Sequence, residues 1–254
     1  AETVKAADLG AILKATTGIV TATVAADTAA KLTSALKDAN SLDALTLTVN
    51  GTSAAAKDLI SLTTSTNSSS VAIKLDVAAI TGNINEVTNV FVTSAAKFDD
   101  VTDIDATISG TIGAAQADAV AKVITAGTVT ATIDAGTAAY LNATLTDTDE
   151  NAYKLKLTGN DATATDLLGL DGKTSIAVDA SAIKNITGTG ATGAADVKDV
   201  YVAAGKKDIS GLGNETVDLT GATDANVALV KAINDYTTGV ITLDTLTFSG
   251  ATVF

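Results

Sequence analysis

Two long stretches of this chain can be laid one over the other. Val87-Thr-Asn-Val90-Phe91-Val92 matches Val197-Lys-Asp-Val200-Tyr201-Val202 at an offset of 197 − 87 = 110 residues. Upstream, Ile73-Lys-Leu75-Asp-Val-Ala-Ala-Ile80 faces Ile176-Ala-Val178-Asp-Ala-Ser-Ala-Ile183. Downstream, Asp105-Ala-Thr-Ile108-Ser-Gly110 faces Thr216-Val-Asp-Leu219-Thr-Gly221. Self-similarity at a fixed period is the signature of a repeat architecture, in which each unit buries its apolar face against its neighbours. The chain reads as a single repeat array over residues 1–254, with super-repeats of 1–110 and 111–221 and a partial one over 222–254.

Between these stretches run shorter units of one kind. Each opens on a strand-like segment with strict alternation and continues into an Ala/Leu/Lys-rich segment with helical spacing. The inward pairs are Ala22/Val24, Leu47/Val49, Ile73/Leu75, Ala106/Ile108, Ala131/Ile133, Leu155/Leu157, Ile176/Val178, Val217/Leu219 and Ile241/Leu243. Most successive spacings are short, such as 49 − 24 = 25 and 157 − 133 = 24. Two are long, 108 − 75 = 33 and 219 − 178 = 41, which makes every fourth coil the long one. Helices are expected over residues 29–39, 114–124 and 226–234. Ser53, Asp161 and Asp224 are expected as caps that accept from free backbone N–H groups.

A strand and a short helix in alternation give the expected fold class: α/β, a leucine-rich-repeat-like solenoid of parallel strands with short covering helices, about nine coils in a super-repeat of four. Phe98-x-x-Val101-x-x-Ile104-x-Ala106-x-Ile108 follows the ladder of that repeat, although most coils lack its Asn. The alternative is a tandem array of all-β sandwich domains. The Ala-rich segments and the absence of Pro favour helices over it.

Composition removes whole classes of chemistry. The chain has no Cys and no His, so thiolate nucleophiles, Ser-His-Asp triads and ordinary zinc or copper sites are excluded. A net charge of −13 disfavours nucleic acid and anionic membrane as partners and is compatible with a cation. No run approaches the length of a membrane-spanning helix, so no membrane insertion is expected. Asp147-Thr-Asp149-Glu150-Asn151 begins like a calcium loop but lacks the glycine and the distal bidentate Glu of an EF-hand. Asp99-Asp100-x-x-Asp103-x-Asp105 is a second acidic cluster. The metal candidates are therefore Asp147, Asp149, Asn151, Asp99, Asp100 and Asp103, with calcium the ion such oxygens would take. No other cofactor is expected. The outward Thr pairs Thr21/Thr23, Thr46/Thr48 and Thr130/Thr132 follow from the strand propensity of Thr, since other coils break the pattern. Eight aromatic residues give no sugar platform beside any carboxylate pair, and no enzymatic activity is expected.

Segments such as Leu170-Asp-Gly-Lys-Thr-Ser-Ile-Ala-Val-Asp-Ala-Ser-Ala-Ile and Ile209-Ser-Gly-Leu-Gly-Asn-Glu-Thr-Val-Asp-Leu carry a further likeness. They resemble the Thr/Ala/Asp-rich tandem repeats of very large bacterial extracellular proteins, surface-layer-like and adhesin-like, of the kind found in cyanobacteria. The resemblance implies a secreted or cell-surface structural role and carries over no catalytic or binding residue. The expected function is an extracellular structural protein that self-associates, head-to-tail or laterally, into a filament, sheath or surface layer. The alternative is an adhesin stalk or spacer that binds calcium. Residues 1–18 and 245–254 read as end coils without polar caps, which favours stacking of copies.

Overall fold

Short β-branched segments that return after a helix can pair only in parallel, because a crossover reverses the chain twice. The computed structural model describes residues 3–67 and 72–244. Its chain groups into two compact units. The first is Ala1–Ile112 with Gln116–Ala131, and the second is Gly113–Ala115 with Thr132–Phe254. Every registered strand pair is parallel.

In the first unit the elements are α1 (Ala6–Ala15), β1 (Thr21–Thr23), α2 (Ala29–Ala35), β2 (Ala44–Thr46), β3 (Thr48–Ala55), α3 (Ala56–Ser65), β4 (Lys74–Asn83) and α4 (Ile84–Thr88). A π-helical turn, Asn89–Thr93, and a 3-10 turn, Ala95–Lys97, lead to β5 (Asp105–Ile112), α5 (Ala114–Ala121) and β6 (Val129–Ile133). β1 pairs with β2, and β3, β4, β5 and β6 lie side by side in that order. Helices α1 to α4 pack in succession. They bury Leu9, Leu32, Leu59, Leu62 and Val87, while the strands contribute Val49, Ile80 and Ala106, and Leu47 is buried between β2 and β3. Helices this short are marginal alone, so this buried surface is what holds them.

The second unit holds α6 (Ala138–Thr144), β7 (Ala152–Lys154), β8 (Asp161–Thr163), α7 (Ala164–Asp171), β9 (Val178–Asp179) and β10 (Asn185–Thr187). It continues through α8 (Gly193–Lys206), β11 (Ile209–Ser210), β12 (Thr216–Asp218), α9 (Val227–Asn234) and β13 (Ile241–Thr242). One sheet runs β8-β10-β12-β13, and β9 pairs with β11 in a second ladder. Helices α6 to α9 again pack in succession.

The α/β class with parallel sheets is as expected, and the all-β sandwich alternative is overturned by the parallel pairing and the helices. The strand reading needs correction. Thirteen strands occur among the described residues rather than nine, because in the second unit the stretch between helices crosses two ladders. The two long spacings also shorten. Ile108 pairs with Gly82 rather than Leu75, and Ile80 pairs with Ala106, a step of 106 − 80 = 26. In the second unit Val178 pairs with Ile209 and Ile186 with Val217, both steps of 31. Alternation with period 2 shows which face a residue takes but not which neighbour it meets, and the ten residues of β4 carry the marker Leu75 near their start and Gly82, the partner of Ile108, near their end.

Of the inward positions, Ile176 is 39% exposed. The backbone N–H of Ile176 donates to the Thr174 hydroxyl at 3.1 Å, a local turn, and Thr174 takes the inward place instead. The expected caps are displaced too. Ser53 lies in β3 and Asp161 in β8, both still in strand pairing; Thr163 caps α7 and Asn226 caps α9. The two matching stretches are both helical: Val87, Val90 and Phe91 in α4 and the π-turn, Val197, Val200 and Tyr201 in α8, all buried. The expected end segment 245–254 lies outside the described residues.

Candidate functional site

The acidic residues singled out from sequence do not converge on a common centre. Asp99 Oδ1 accepts the backbone N–H of Leu75 on β4 at 2.9 Å, as well as that of Asp100. Asp100 Oδ1 turns the other way and accepts both the N–H and the hydroxyl of Thr102 at 2.8 Å. Asp105 Oδ1 accepts the N–H of Thr128 at 2.8 Å, just before β6. Asp103 instead lines an open polar cleft of about 490 Å³ with Asp76, Gly51 and Thr52. In the other cluster, Asp147 Oδ2 accepts from the Asn151 side-chain amide at 3.0 Å and from the N–H of Asp149 at 3.3 Å. Asn151 is buried and also donates to the Asp149 carbonyl. That loop therefore folds on its own donors. Among the described residues no group of three or more Asp or Glu side chains is placed to hold a metal ion.

Two of these carboxylates share a task. Asp99 and Asp105 each accept a backbone N–H from a segment more than 20 residues away, a donor that needs a partner. Asp43 does the same for Val20, at 2.8 Å, while its second oxygen accepts from the Asn40 backbone and side chain. Asp224, expected to cap its own helix, reaches back to the start of α8, where its two oxygens accept from Ala194 and Ala195 at 2.9 and 3.0 Å. A carboxylate at a helix N-terminus also meets the positive end of the helix dipole. Four carboxylates thus tie together segments that lie 23 to 30 residues apart in the chain.

Asp43 and Glu215 are fully buried, and both carboxylate oxygens of each accept a hydrogen bond, as buried charge requires. Both Glu215 oxygens accept the N–H of Gly213, and Oε2 takes the Tyr201 hydroxyl at 3.3 Å. Burial pushes the Tyr201 phenol up to about 12, and its ring stacks on Tyr236 with centroids 5.9 Å apart. A simpler device recurs at Asp100-Val-Thr102, Asp179-Ala-Ser181 and Asp218-Leu-Thr220. Each Asp accepts the backbone N–H and the hydroxyl two residues on, and these bonds hold all three carboxyls below the usual range.

One acidic grouping was not visible in the sequence. Glu150, Asp171 and Asp208 line a cleft of about 210 Å³ with Thr174, Ser175 and Ile176. Burial, then the charge of Asp208, raises the Asp171 carboxyl above its ordinary value. The three lie 171 − 150 = 21 and 208 − 171 = 37 residues apart, and only the tertiary fold brings them together. The chain matches no known family model, no curated protein and no solved structure. No helix among the described residues is long and apolar enough to cross a membrane.

Proposed function

We propose that this chain is an extracellular structural protein that self-associates into a filament, sheath or surface layer, each unit a stretch of leucine-rich-repeat-like solenoid. The observation that carries this reading is the use of the acidic side chains. Asp43, Asp99, Asp105 and Asp224 bind backbone N–H groups of neighbouring coils, so the ionisable groups serve stacking. With no His or Cys in the chain, no thiolate and no Ser-His-Asp triad competes with that role. A net charge of −13 keeps copies soluble and turns contact between them towards uncharged faces. Its partner is itself, its place the cell surface, and it carries out no reaction.

Negative-stain electron microscopy of the purified protein, with calcium and then with a chelator, tests the reading. Regular filaments or sheets are expected in both conditions. Assemblies lost on chelation would return Asp103 and the Asp147–Asn151 loop to the role of calcium sites. Isolated short particles in both conditions would overturn self-assembly and leave the stalk or spacer reading.

A further inference from the structure

The chain has no Cys, Met, Trp or His, so the side chains that ordinarily yield first to oxidation are absent. Its four tyrosines are then the most readily oxidised groups in the molecule. A phenol gives up one electron and its proton to become a phenoxyl radical, which the ring stabilises. Two of the four are at the surface. Tyr140 is 56% exposed and Tyr236 is 46% exposed, while Tyr153 and Tyr201 are each 2% exposed.

Tyr236 is exposed on one side and partnered on the other. It follows α9, and its ring stacks on that of Tyr201 in α8, with centroids 5.9 Å apart and planes 4° from parallel. Parallel rings in contact lie about 3.5 Å apart, so at this centroid distance they are displaced sideways and ring edges overlie each other. The edge of a phenol carries the carbons ortho to the hydroxyl, where a phenoxyl radical holds much of its unpaired electron. The buried ring also has a proton acceptor. The Tyr201 hydroxyl donates to Glu215 Oε2 at 3.3 Å. Burial pushes the Tyr201 phenol up to about 12, so at neutral pH it is oxidised only with loss of that proton.

We propose that Tyr201 and Tyr236 form an oxidative cross-linking site, at which a peroxide-driven one-electron oxidant joins the two phenols by a carbon–carbon bond. The exposed Tyr236 meets the oxidant, its radical draws an electron from Tyr201 through the stack, and a second oxidation of Tyr236 completes the pair. Each phenol has then lost one electron and one proton, that of Tyr201 to Glu215 Oε2 and that of Tyr236 to water. The radicals combine at carbons ortho to their oxygens, and the hydrogens on those carbons move to the oxygens as the rings regain aromaticity. Two electrons and two protons leave in all, and one hydrogen peroxide takes them up to become two waters. The link closes a loop of 236 − 201 = 35 residues and staples α8 to the turn after α9. Such a closure removes entropy from the unfolded chain, as a disulfide does, in a protein that has no cysteine to make one. The site goes beyond the self-association reading and stands whether or not copies associate.

The test is treatment of the dilute 254-residue protein with hydrogen peroxide and a haem peroxidase, followed by peptide mass spectrometry and thermal melts. The monomer should lose two hydrogens in mass and yield a linked peptide pair containing Tyr201 and Tyr236. The linked protein should melt above the untreated one. Tyr236→Phe keeps the ring and removes the hydroxyl, so it should fold as the parent does and give no such pair. Tyr140→Phe, at the other exposed tyrosine, should leave the pair unchanged. Links that join only Tyr140 or Tyr236 of two molecules, or a treated parent in which no link contains Tyr201, would overturn the site. A linked protein that melts no higher than the untreated one would overturn the staple.

Discussion

Residues 84–93 and α8 carry the same apolar pattern and build different helices from it. Val87, Val90 and Phe91 bury the same positions as Val197, Val200 and Tyr201. Yet the first stretch is five residues of α-helix followed by a π-turn, while the second runs unbroken from Gly193 to Lys206. Their starts are also held differently. α4 begins with a local capping box: Asn83 accepts the N–H of Glu86 and Glu86 accepts that of Asn83, each at 3.1 Å. Helix α8 has no cap of its own and is started by Asp224, 30 residues further on. It ends where Lys207 turns left-handed at φ 72°, its N–H meeting the carbonyls of Ala203 and Ala204. Apolar spacing decides burial; capping, local or from the next coil, decides where the helix starts.

The largest effects should come from the shared core. Phe91→Ala should cost about 3–5 kcal/mol, the range for deleting a buried aromatic side chain. Tyr201→Ala should cost at least as much, because it also takes a donor from buried Glu215. Denaturant titration of the two variants checks the equivalence, and a Tyr201 loss under half that of Phe91 would break it. Next comes the tight start of α8, where Gly193 packs on Gly188 with the Ala222 side chain beside it. Gly193→Val should cost about 1–3 kcal/mol through overpacking, whereas Gly205→Ala, with open space around it, should be neutral or stabilising in thermal melts.

Smaller effects separate the two caps. Asp224→Ala and Asn83→Ala should each cost about 0.5–2 kcal/mol, the usual loss of a helix cap. They should differ in reach. Hydrogen exchange should quicken in α8 on loss of Asp224, although the change lies in the next coil. With Asn83→Ala it should quicken only around α4. Acid should produce the smallest effect per residue. Asp100, Asp179 and Asp218 have carboxyls lowered in the folded state. Their contribution is therefore full above the unfolded value of 3.8 and is lost as pH falls through the lower folded values. Thermal midpoints should be flat from pH 7 to about 5 on this account and fall below about 4; Asp218→Asn should blunt that fall.

Much of the fold was legible. The expected helices over 29–39, 114–124 and 226–234 coincide with α2, α5 and α9, and five inward pairs, Leu47/Val49, Ala106/Ile108, Ala131/Ile133, Leu155/Leu157 and Val217/Leu219, are buried as expected. Register was not legible, because Leu75 and Ile80 lie on the same strand and only the structure shows that Ile80 meets Ala106. The acidic clusters were read as metal loops because their members are close in sequence. In the fold Asp99 and Asp105 point to different neighbouring strands while Asp100 binds its own turn. Asp224 was taken for a local cap, and nothing in its flanking residues reveals that its target is Ala194. The Glu150–Asp171–Asp208 cleft had no sequence signal at all, since its members belong to different coils.

The central claim is that four carboxylates tie distant segments together through backbone N–H groups, and amide hydrogen exchange at Val20, Leu75, Thr128 and Ala194 tests it most directly. At neutral pH these four amides should be protected, and each should lose protection when its partner, Asp43, Asp99, Asp105 or Asp224, is replaced by Ala. Exchange in the parent as fast as at an open turn, or protection unchanged by the four replacements, would contradict it.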